Sequence, residues 1–454
     1  MIEPLEGPMA DTPRSGTVYT KQQRIADLAK QMPGAGLTSL SHHIDMDWMR
    51  EAHRRTRKDG APGVDGQTAA EYEENLEGNL QSLLDRAKGG DSYRAPPVRR
   101  VYIPKQKAGE HRPIGIPTFE DKVLQRAVVM ALEPAFEQDF LDCSYGFRPG
   151  RSQHQAIKAL RNGLMEMGGA WVIEVDIKGY FDTVDHQHLR SIYRQRIRDG
   201  VLLRLMGKWL KAGVLEEGRH WRPDSGTPQG GVISPLLANV YLHEVLDVWF
   251  EEQVRPRLRG RAFMIRFADD AVLAFSDHSD AQRVMTVLPK RFEAYGLTLH
   301  PDKTRLTRFR RPPREKPSRG SGTNGRPQTF DFLGFTWAWR RSRRGKWVIW
   351  PKTAKERLQR AAKNFNALLR AIRHWKVREQ HRVIVAKLRG HDQYYGVSGN
   401  SRALQQLRQA VSRAWHRWLN RRDQGRRMNW ARMGRLLERY PLPDGTIRHS
   451  LYPS

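Results

Sequence analysis

The sequence predicts an α+β fold, because strand-like and helix-like segments are mixed along the chain without a regular βα alternation. The clearest strand pattern is WVIEVDI at residues 171–177, which reads as a buried strand. A second strand pattern is RFADDAVLAF at residues 266–275, where apolar alternation on both sides of two acids predicts two short strands. After Pro351 the pattern is predominantly helical.

The composition predicts a folded chain with more than one domain. At about 150 residues per domain, 454 residues allow about three. A hydrophobic content of 39%, with 13 Trp, 13 Tyr and 15 Phe, is low but sufficient for cores. No run approaches the roughly 20 apolar residues that a membrane span requires. The N-terminal MIEPLEGPMADTPR resembles neither a secretory signal nor a transit peptide.

Cysteine and charge narrow the class of protein. Cys143 is the single cysteine, which excludes intrachain disulfides and cysteine-paired zinc sites and predicts a reducing, cytoplasmic compartment. The chain carries 79 Lys and Arg against 49 Asp and Glu, a net charge of +30. Residues 337–454 hold 29 of the basic and 6 of the acidic residues, together with 8 of the 13 Trp. A segment of net charge +23 repels itself unless a polyanion neutralises it, so we expect a nucleic-acid surface there.

The elements follow in order. Residues 1–36 read as a flexible leader. Helical patterns then cover residues 37–60 and 68–88, with Tyr72, Leu76, Leu80, Leu83 and Leu84 at helical spacing. The segment KAGEHRPIGIP reads as a hairpin with Gly109 near its turn, and a helix is predicted from Phe119 to about Phe140.

The second half of the chain continues this mixture. VDHQHLRSIYRQRI is predicted to be a helix capped by Asp185, and we assign Asp182 to the preceding turn. Residues 308–328 are rich in Pro, Gly, Ser and Arg and read as a loop. QTFDFLGFTWAW returns to a strand pattern before the basic helical region.

Two adjacent acids in a tight bend are the most unusual local feature. Asp269 and Asp270 repel one another, and a turn needs at most one of them. Asp176 lies at the end of the strand at residues 171–177, and if that strand lies beside the 263–275 hairpin, Asp176 and Asp269 can face each other. Mg²⁺ prefers such hard oxygen ligands, and two ions about 3.5–4 Å apart can clamp the reacting oxygens of a phosphoryl transfer.

A family resemblance favours this interpretation over ordinary turn residues. RFADDAVLAF resembles the Tyr-Ala-Asp-Asp box of reverse transcriptases, with Phe267 where the family has Tyr, a change that we expect to have little effect. DIKGYFDTVDH resembles their first catalytic-carboxylate motif, and GTPQGGVISPLLANVYLH resembles the Pro-Gln-Gly box of group II intron enzymes. IPKQKAGEHRPIGIPTFEDKVLQ, SYGFRPGRS, GLTLHPDKT and FDFLGFTW follow the order of the family. Seven motifs in order make a specific signal across residues 99–335, with a weaker match at residues 37–90.

The resemblance implies a right-hand polymerase, with fingers and a palm built on an antiparallel sheet, followed by an α-helical thumb. The implied domains are the leader at 1–36, an N-terminal helical extension of the fingers at 37–96, fingers and palm at 97–337, a thumb with maturase activity at 338–399 and a basic DNA-binding tail at 400–454.

The resemblance also implies roles for matching positions. Asp176 and Asp269 would ligate two Mg²⁺ ions, with Mn²⁺ as an alternative, together with the carbonyl of Ile177 and with Asp270 beside them. The implied dNTP-binding residues are Lys105, Arg112, Phe181, Gln229 and Lys303, with Phe181 as a steric gate against a 2′-OH. Gly230, Leu333 and Gly334 would lie along the primer and template.

The implied function is that of a bacterial group II intron-encoded reverse transcriptase and maturase in the cytoplasm, associated with the nucleoid. Its expected partners are group II intron RNA, a DNA target or primer, and dNTPs, with no membrane; the oligomeric state stays open. Many relatives end in a zinc-stabilised HNH endonuclease, which we expect to be absent here because the sequence has no cysteine pairs. Insertion would then use a pre-existing 3′ end as primer.

Two alternatives remain open at this point. The first is a group II-like reverse transcriptase with a host or phage-defence role, although the TPQGG wording argues against the diversity-generating branch. The second is a non-catalytic RNA-binding splicing factor derived from such an enzyme. The complete set of acidic and basic site residues argues against this second alternative.

Overall fold

The computed structural model describes residues 16–90, 92–104, 111–216, 219–221, 226, 230–312, 328–342, 344–422 and 428–452. The helices are α1 (Gly16–Gln31), α2 (Met46–Arg55), α3 (Ala69–Glu73), α4 (Leu76–Lys88), α5 (Phe119–Phe136), α6 (Gln153–Glu166), α7 (Tyr180–Thr183), α8 (His186–Arg196), α9 (Gly200–Lys211), α10 (Ser234–Leu242), α11 (His278–Glu293), α12 (Lys355–Ala371), α13 (Val377–Tyr395), α14 (Ser401–Arg422) and α15 (Trp430–Arg439). Short 3₁₀ turns lie at Ser41–His43 and Arg255–Arg257, and α10 continues as a π-helix over His243–Val254. None of the helices in these ranges is long and apolar enough to cross a membrane.

Among the described residues, the strands form three sheets. They are β1 (Val98–Pro104), β2 (His111–Ile116), β3 (Gly169–Val175), β4 (Val214–Glu216), β5 (Arg219–Trp221), β6 (Ala262–Phe267), β7 (Asp270–Phe275), β8 (Arg305–Arg310), β9 (Phe330–Phe332), β10 (Phe335–Arg341) and β11 (Trp347–Thr353). Their orders are β2-β1-β4-β5, β6-β7-β3-β8 and β11-β10-β9. Every pairing in the β6-β7-β3-β8 sheet is antiparallel, so the predicted α+β class is confirmed.

The predicted flexible leader is wrong for residues 16–31. They form α1, which buries Val18, Ile25 and Ala29, three residues whose spacing places them on one helical face. This face packs on α5, where the Gln22 side-chain amide donates to the carbonyl of Met130 at 2.9 Å. The three apolar residues are too few to stand out in a polar sequence, and only the partner helix makes their burial possible.

Local signals decide several other boundaries. Asp45 caps α2 by accepting from the backbone of Trp48, and Thr68 caps α3 in a reciprocal capping box with Glu71. Asp185 caps α8, as predicted, by accepting from the amides of Gln187 and His188. The predicted 68–88 helix is divided into α3 and α4.

Strands β3 and β7 of the β6-β7-β3-β8 sheet are buried on both faces, which explains their nearly continuous apolar sequences. Along β3, Val172 points into one hydrophobic cluster, while Ile173 and Val175 point into the other. Along β7, Val272 and Ala274 alternate in the same way with the residues on either side. One cluster includes α10, α11 and the π-helix, and the other includes α6 and the β11-β10-β9 sheet.

The thumb boundary differs from the prediction. Trp337, Trp339 and Ile349 lie in the hydrophobic cluster that covers the β6-β7-β3-β8 sheet, which we call the palm sheet. Residue 337 lies within β10, which pairs with β11, so the predicted boundary falls inside one sheet. The helical part begins only with α12.

Residue 400 is not a boundary in the packing either. Leu407, Val411 and Trp415 of α14 share a core with Leu369 of α12 and Leu388 of α13. The following segment returns to the palm, where Leu451 is buried and its carbonyl accepts from Arg161 of α6 at 3.2 Å. The predicted DNA-binding tail is thus structurally continuous with the helical thumb.

Candidate active site

The two-residue turn between β6 and β7 carries the first acids. Phe267 pairs with Asp270, which leaves Ala268 and Asp269 as the turn itself. Ala268 has a φ of 56°, a left-handed conformation that is uncommon for a residue with a side chain. The predicted arrangement of two strands with the acids at their junction is therefore found, although Asp270 is already the first residue of β7.

Strand register brings Asp176 to the same place. β3 and β7 are antiparallel, and their last pair is Val175 with Ala271, so the next position aligns Asp176 with Asp270. The backbone after β3 is fixed by two bonds: His300 donates to the carbonyl of Asp176, and Lys178 donates to the carbonyl of Thr298, both at 2.8 Å. These bonds hold the peptide of Ile177 between them. Acids 93 residues apart in the sequence thus meet at one end of the sheet.

Electrostatics confirm that the three carboxylates act on one another. Desolvation raises the pKa of Asp269, and Asp176 adds to the increase while Arg112 opposes it. The pKa of Asp270 is raised to about 7 by desolvation, by Asp269 and by Asp176. Because the Asp270 side chain is exposed, solvent reduces the contribution of desolvation to this pKa increase. Repulsion from the neighbouring carboxylates therefore contributes a larger share of it. Such a cluster favours a bound cation.

The acids fit a divalent cation that other ligands complete. The Lys303 ammonium lies 3.2 and 3.1 Å from the two Asp176 carboxylate oxygens and supplies positive charge there. Across the described ranges, no group of three or more His, Cys, Asp or Glu is arranged to hold a metal by itself. Mg²⁺ at nucleotide sites takes only one or two carboxylates and completes its shell with phosphate and water. The chemistry of this donor set therefore matches a cation that arrives with a nucleotide.

Replacing Asp270 with Asn should stabilise the protein in the absence of divalent cations. A carboxyl whose folded-state pKa is raised from 3.8 to about 7 binds its proton more tightly when folded, so the folded state loses stability as pH rises between these values. Lys303 and Arg357 partly offset this loss. Discounted for solvent, we expect a gain of about 1 kcal/mol at pH 8 and almost none at pH 4, measured by urea unfolding in EDTA. A gain that is equal at both pH values would contradict the electrostatic explanation.

Strand β2 brings a positive charge to the acids. Arg112 pairs with Ile103 across the β1-β2 hairpin, and its charge reaches Asp269. The predicted residue Lys105 and the hairpin turn with Gly109 lie outside the described residues, as does Gln229. Gly230 is described, and its backbone lies against the carbonyl of Gly115 in β2.

Phe181 occupies the short helix α7 directly after Asp176 and Ile177. Gly179 begins this helix with a φ of 60°, and the Tyr180 hydroxyl anchors it by donating to the carbonyl of Ala238 at 2.7 Å. The Phe181 ring is half-buried, with its centroid 5.3 Å from that of Tyr180. The ring is thus held rigidly a few residues from Asp176.

Leu333 and Gly334 form the two-residue turn between β9 and β10, with φ values of 49° and 75°. Two positive φ values are typical of a type I′ hairpin. The thumb contacts this turn directly, since the Tyr394 hydroxyl donates to the carbonyl of Leu333 and the Ala354 amide donates to the carbonyl of Gly334, both at 3.0 Å. The predicted primer residues therefore join palm and thumb.

Comparisons with known proteins agree with this geometry. The family described as reverse transcriptase (RNA-dependent DNA polymerase) matches residues 103–337, more than half of the chain. This chain belongs to the reverse transcriptase family. It is an RNA-directed DNA polymerase of the group II intron type, and its substrates include nucleic acids.

Relatives differ in how much of their length this reverse transcriptase covers. Protein YkfC of Escherichia coli strain K12 is 36% identical over 396 residues, which are 79% of this chain and 96% of that protein. The group II intron-encoded protein LtrA of Lactococcus lactis is 48% identical over 174 residues, 38% of this chain and 28% of LtrA. A putative COX1/OXI3 intron 1 protein of Saccharomyces cerevisiae is 27% identical over 348 residues, covering 65% of this chain and 40% of the yeast protein.

Sequence reasoning missed the buried ion pair beneath the β6-β7 turn of this reverse transcriptase. Arg266 and Asp247 are both fully buried and form a two-bond ion pair, with Arg266 Nε and Nη2 at 2.7 and 2.5 Å from the Asp247 oxygens. A basic residue in an apolar strand and an acid within VLDVWF were the available signals. Neither says which residue is the partner of the other.

Gly230→Ala should lower both the stability and the activity of this reverse transcriptase, whereas alanine at an unconstrained glycine should not. Gly230 has a φ of 113°, and an added Cβ would collide with the carbonyl oxygen of Gly115. We expect a loss of about 1–3 kcal/mol in unfolding free energy and at least a roughly tenfold loss of primer extension, because the fingers strand is displaced. Gly207→Ala is the matched control, since Gly207 lies within α9 with no atom near its missing Cβ. The control should gain about 0.5–1 kcal/mol and keep its activity; equal losses in both variants would refute the steric argument.

Proposed function

We propose that this reverse transcriptase copies group II intron RNA into DNA at the cluster formed by Asp176, Asp269 and Asp270, and that it assists intron splicing. The observation that carries the proposal is the register of β3 and β7, which aligns Asp176 with the catalytic turn. In the proposed reaction the primer 3′-OH attacks the α-phosphate of a dNTP, and pyrophosphate leaves. Two divalent cations, Mg²⁺ or Mn²⁺, would supply the positive charge that stabilises the attacking and leaving oxygens.

The chain's own residues would bind and orient the reactants. Asp176, Asp269 and the carbonyl of Ile177 would hold the cations, with Asp270 in a supporting role. Arg112 would meet the triphosphate, as cationic donors do in other phosphoryl transfers. Its position supports this role, because its charge already reaches Asp269. Lys105 would act with it.

Lys303 would exchange partners when the nucleotide arrives. Its ammonium is paired with Asp176 in the absence of other ligands. With the Asp176 carboxylate engaged as a cation ligand, the Lys303 ammonium would be released to meet a phosphate of the nucleotide or the primer end. Gln229 and Gly230 would lie against the incoming nucleotide and template, and Leu333 and Gly334 would hold the primer 3′ end.

The positive charge of the thumb is consistent with RNA and DNA as partners. The outward face of α14 carries Arg402, Arg413 and Arg417, and this helix contains no acidic residue. Arginine side chains on such a face neutralise phosphates and release counterions. The relatives named as a group II intron-encoded protein and, in Arabidopsis thaliana, as nuclear intron maturase 1 support intron RNA as the partner.

Salt dependence tests this assignment. Affinity for a fluorescein-labelled group II intron RNA domain, measured by anisotropy, should fall about 10³-fold or more between 50 and 200 mM salt. Arg413→Gln together with Arg417→Gln should lower the log–log slope by about 2, whereas the exposed palm residue Arg255, changed to Gln, should leave it unchanged. A flat response of the wild type, or an equal change in the control, would remove the thumb from the interface.

A further inference from the structure

The buried Arg266–Asp247 ion pair is connected to the turn between β6 and β7. Arg266 Nη1 donates to the side-chain carbonyl of Asn239 at 2.9 Å and to the backbone carbonyl of Ala268 at 3.0 Å. Ala268 is the first turn residue and immediately precedes Asp269. A buried cation therefore holds the peptide that carries the proposed metal ligand.

A second connection reaches the same turn through Gly146. The Asn239 side-chain amide donates to the carbonyl of Gly146 at 2.7 Å. A Cβ on Gly146 would collide with the backbone nitrogen of Ala268, so this glycine and the turn are in direct backbone contact. The Arg266 backbone also bonds the segment before Gly146: its amide donates to the carbonyl of Cys143 at 2.7 Å, and its carbonyl accepts from the amide of Tyr145 at 2.9 Å.

The turn needs this support because its conformation is unfavourable. A left-handed φ at Ala268 persists only when the surroundings over-determine it. The repulsion among the three neighbouring carboxylates acts in the same direction, since it pushes the turn away from Asp176. The guanidinium makes four hydrogen bonds through its three nitrogens, to Asp247, Asn239 and Ala268 simultaneously, which a single ammonium with three N–H groups cannot do.

We propose that Arg266, fixed by Asp247 and Asn239, is a positioning residue that holds the Ala268 peptide and so aims the Asp269 carboxylate at Asp176. This inference rests on the proposed function of Asp269 as a cation ligand. Positions that orient a ligand matter nearly as much as the ligand, because they set its direction and its distance from the cation. The buried pair serves the geometry of the turn, and its contribution to stability is replaceable.

The decisive variant replaces both partners with apolar residues of similar size, Arg266→Met with Asp247→Leu. Such a replacement of a buried ion pair often preserves stability, because no charge is left unpaired. We expect a melting temperature within a few degrees of wild type, about a 100-fold loss of kcat, and little change in the KM for dTTP. Mn²⁺ binding to the enzyme without nucleic acid, followed by electron paramagnetic resonance, should weaken about tenfold or more.

Two further proteins make the test conclusive. Arg266→Lys keeps a positive charge near Asp247 but removes the planar guanidinium and its several donors, so its kcat and its Mn²⁺ affinity should also fall. This variant decides the question if the double variant does not fold. Arg408→Met with Asp392→Leu removes another buried Arg–Asp pair, in the thumb, and should leave Mn²⁺ affinity unchanged.

Wild-type kcat and Mn²⁺ affinity in a folded Arg266 variant would overturn the proposal, as would equal Mn²⁺ losses in the thumb control. The Asp269→Asn variant distinguishes a failure of the proposed function from a failure of the positioning role. If it binds Mn²⁺ normally, the proposed function fails; if it does not, and the Arg266 variants behave as wild type, only the positioning role fails.

Discussion

Asp269→Asn should abolish DNA synthesis by this reverse transcriptase while leaving RNA binding nearly intact. The substitution keeps the size of the side chain and removes the charge at the point where register brings Asp176 closest to the turn. A ligand with no charge cannot neutralise a divalent cation, so we expect a loss of at least about 10²–10³-fold in dTTP incorporation on poly(rA)/oligo(dT). Asp176→Asn should have an equally large effect.

Asp182→Asn is the matched control for this experiment. Asp182 lies in the same motif as Asp176, but it is exposed in α7. Its replacement should leave the incorporation rate close to wild type. Residual synthesis near the wild-type level in Asp269→Asn would exclude this carboxylate from the reaction, and similar losses in Asp182→Asn would point to general damage of the motif.

Phe181→Ala should allow this reverse transcriptase to incorporate ribonucleotides. The ring is held rigidly because α7 is anchored by Tyr180 and because the carbonyls of Phe181 and Asp182 pack closely against Gly226. In the proposed role as a steric gate, the ring would lie beside the sugar and leave no room for a 2′-OH, and removing it would open that space. We expect the preference for dTTP over UTP, measured as the ratio of kcat/KM values, to fall about 10–100-fold.

Phe181→Tyr provides the control because it keeps the ring in place. Its preference for dTTP should stay within a few-fold of wild type. The alanine variant should also keep most of its activity with dTTP, which distinguishes lost selectivity from lost catalysis. An unchanged ratio in Phe181→Ala would show that another group excludes the ribose hydroxyl.

Local patterns predicted much of the fold because they depend on neighbours in the sequence. The strand predicted at residues 171–177 is present as β3, although it begins and ends two residues earlier, at Gly169 and Val175. The acidic turn between β6 and β7 and the cap at Asp185 were also predictable, since period-2 alternation and side-chain capping act within a few residues. Helix α1 was missed because its three buried residues acquire meaning only against α5. The predicted boundaries at residues 337 and 400 were displaced because packing decides them: Trp337 and Trp339 are buried in the cluster that covers the palm sheet, and Leu407 of α14 shares a core with α12 and α13.

The sequence alone determined the chemistry available to this protein: the types of acid, cation and aromatic residue, the order of their motifs, and the concentration of positive charge in the last quarter of the chain. Tertiary structure decided which of these residues meet. The register of β3 with β7 brings Asp176 to Asp269 and Asp270, and it also raises the pKa of Asp270. The pairing of Arg266 with Asp247 beneath the turn is likewise a product of folding. The physical reason is that a carboxylate's charge state and direction depend on the groups within a few ångströms, and distant segments supply most of those groups.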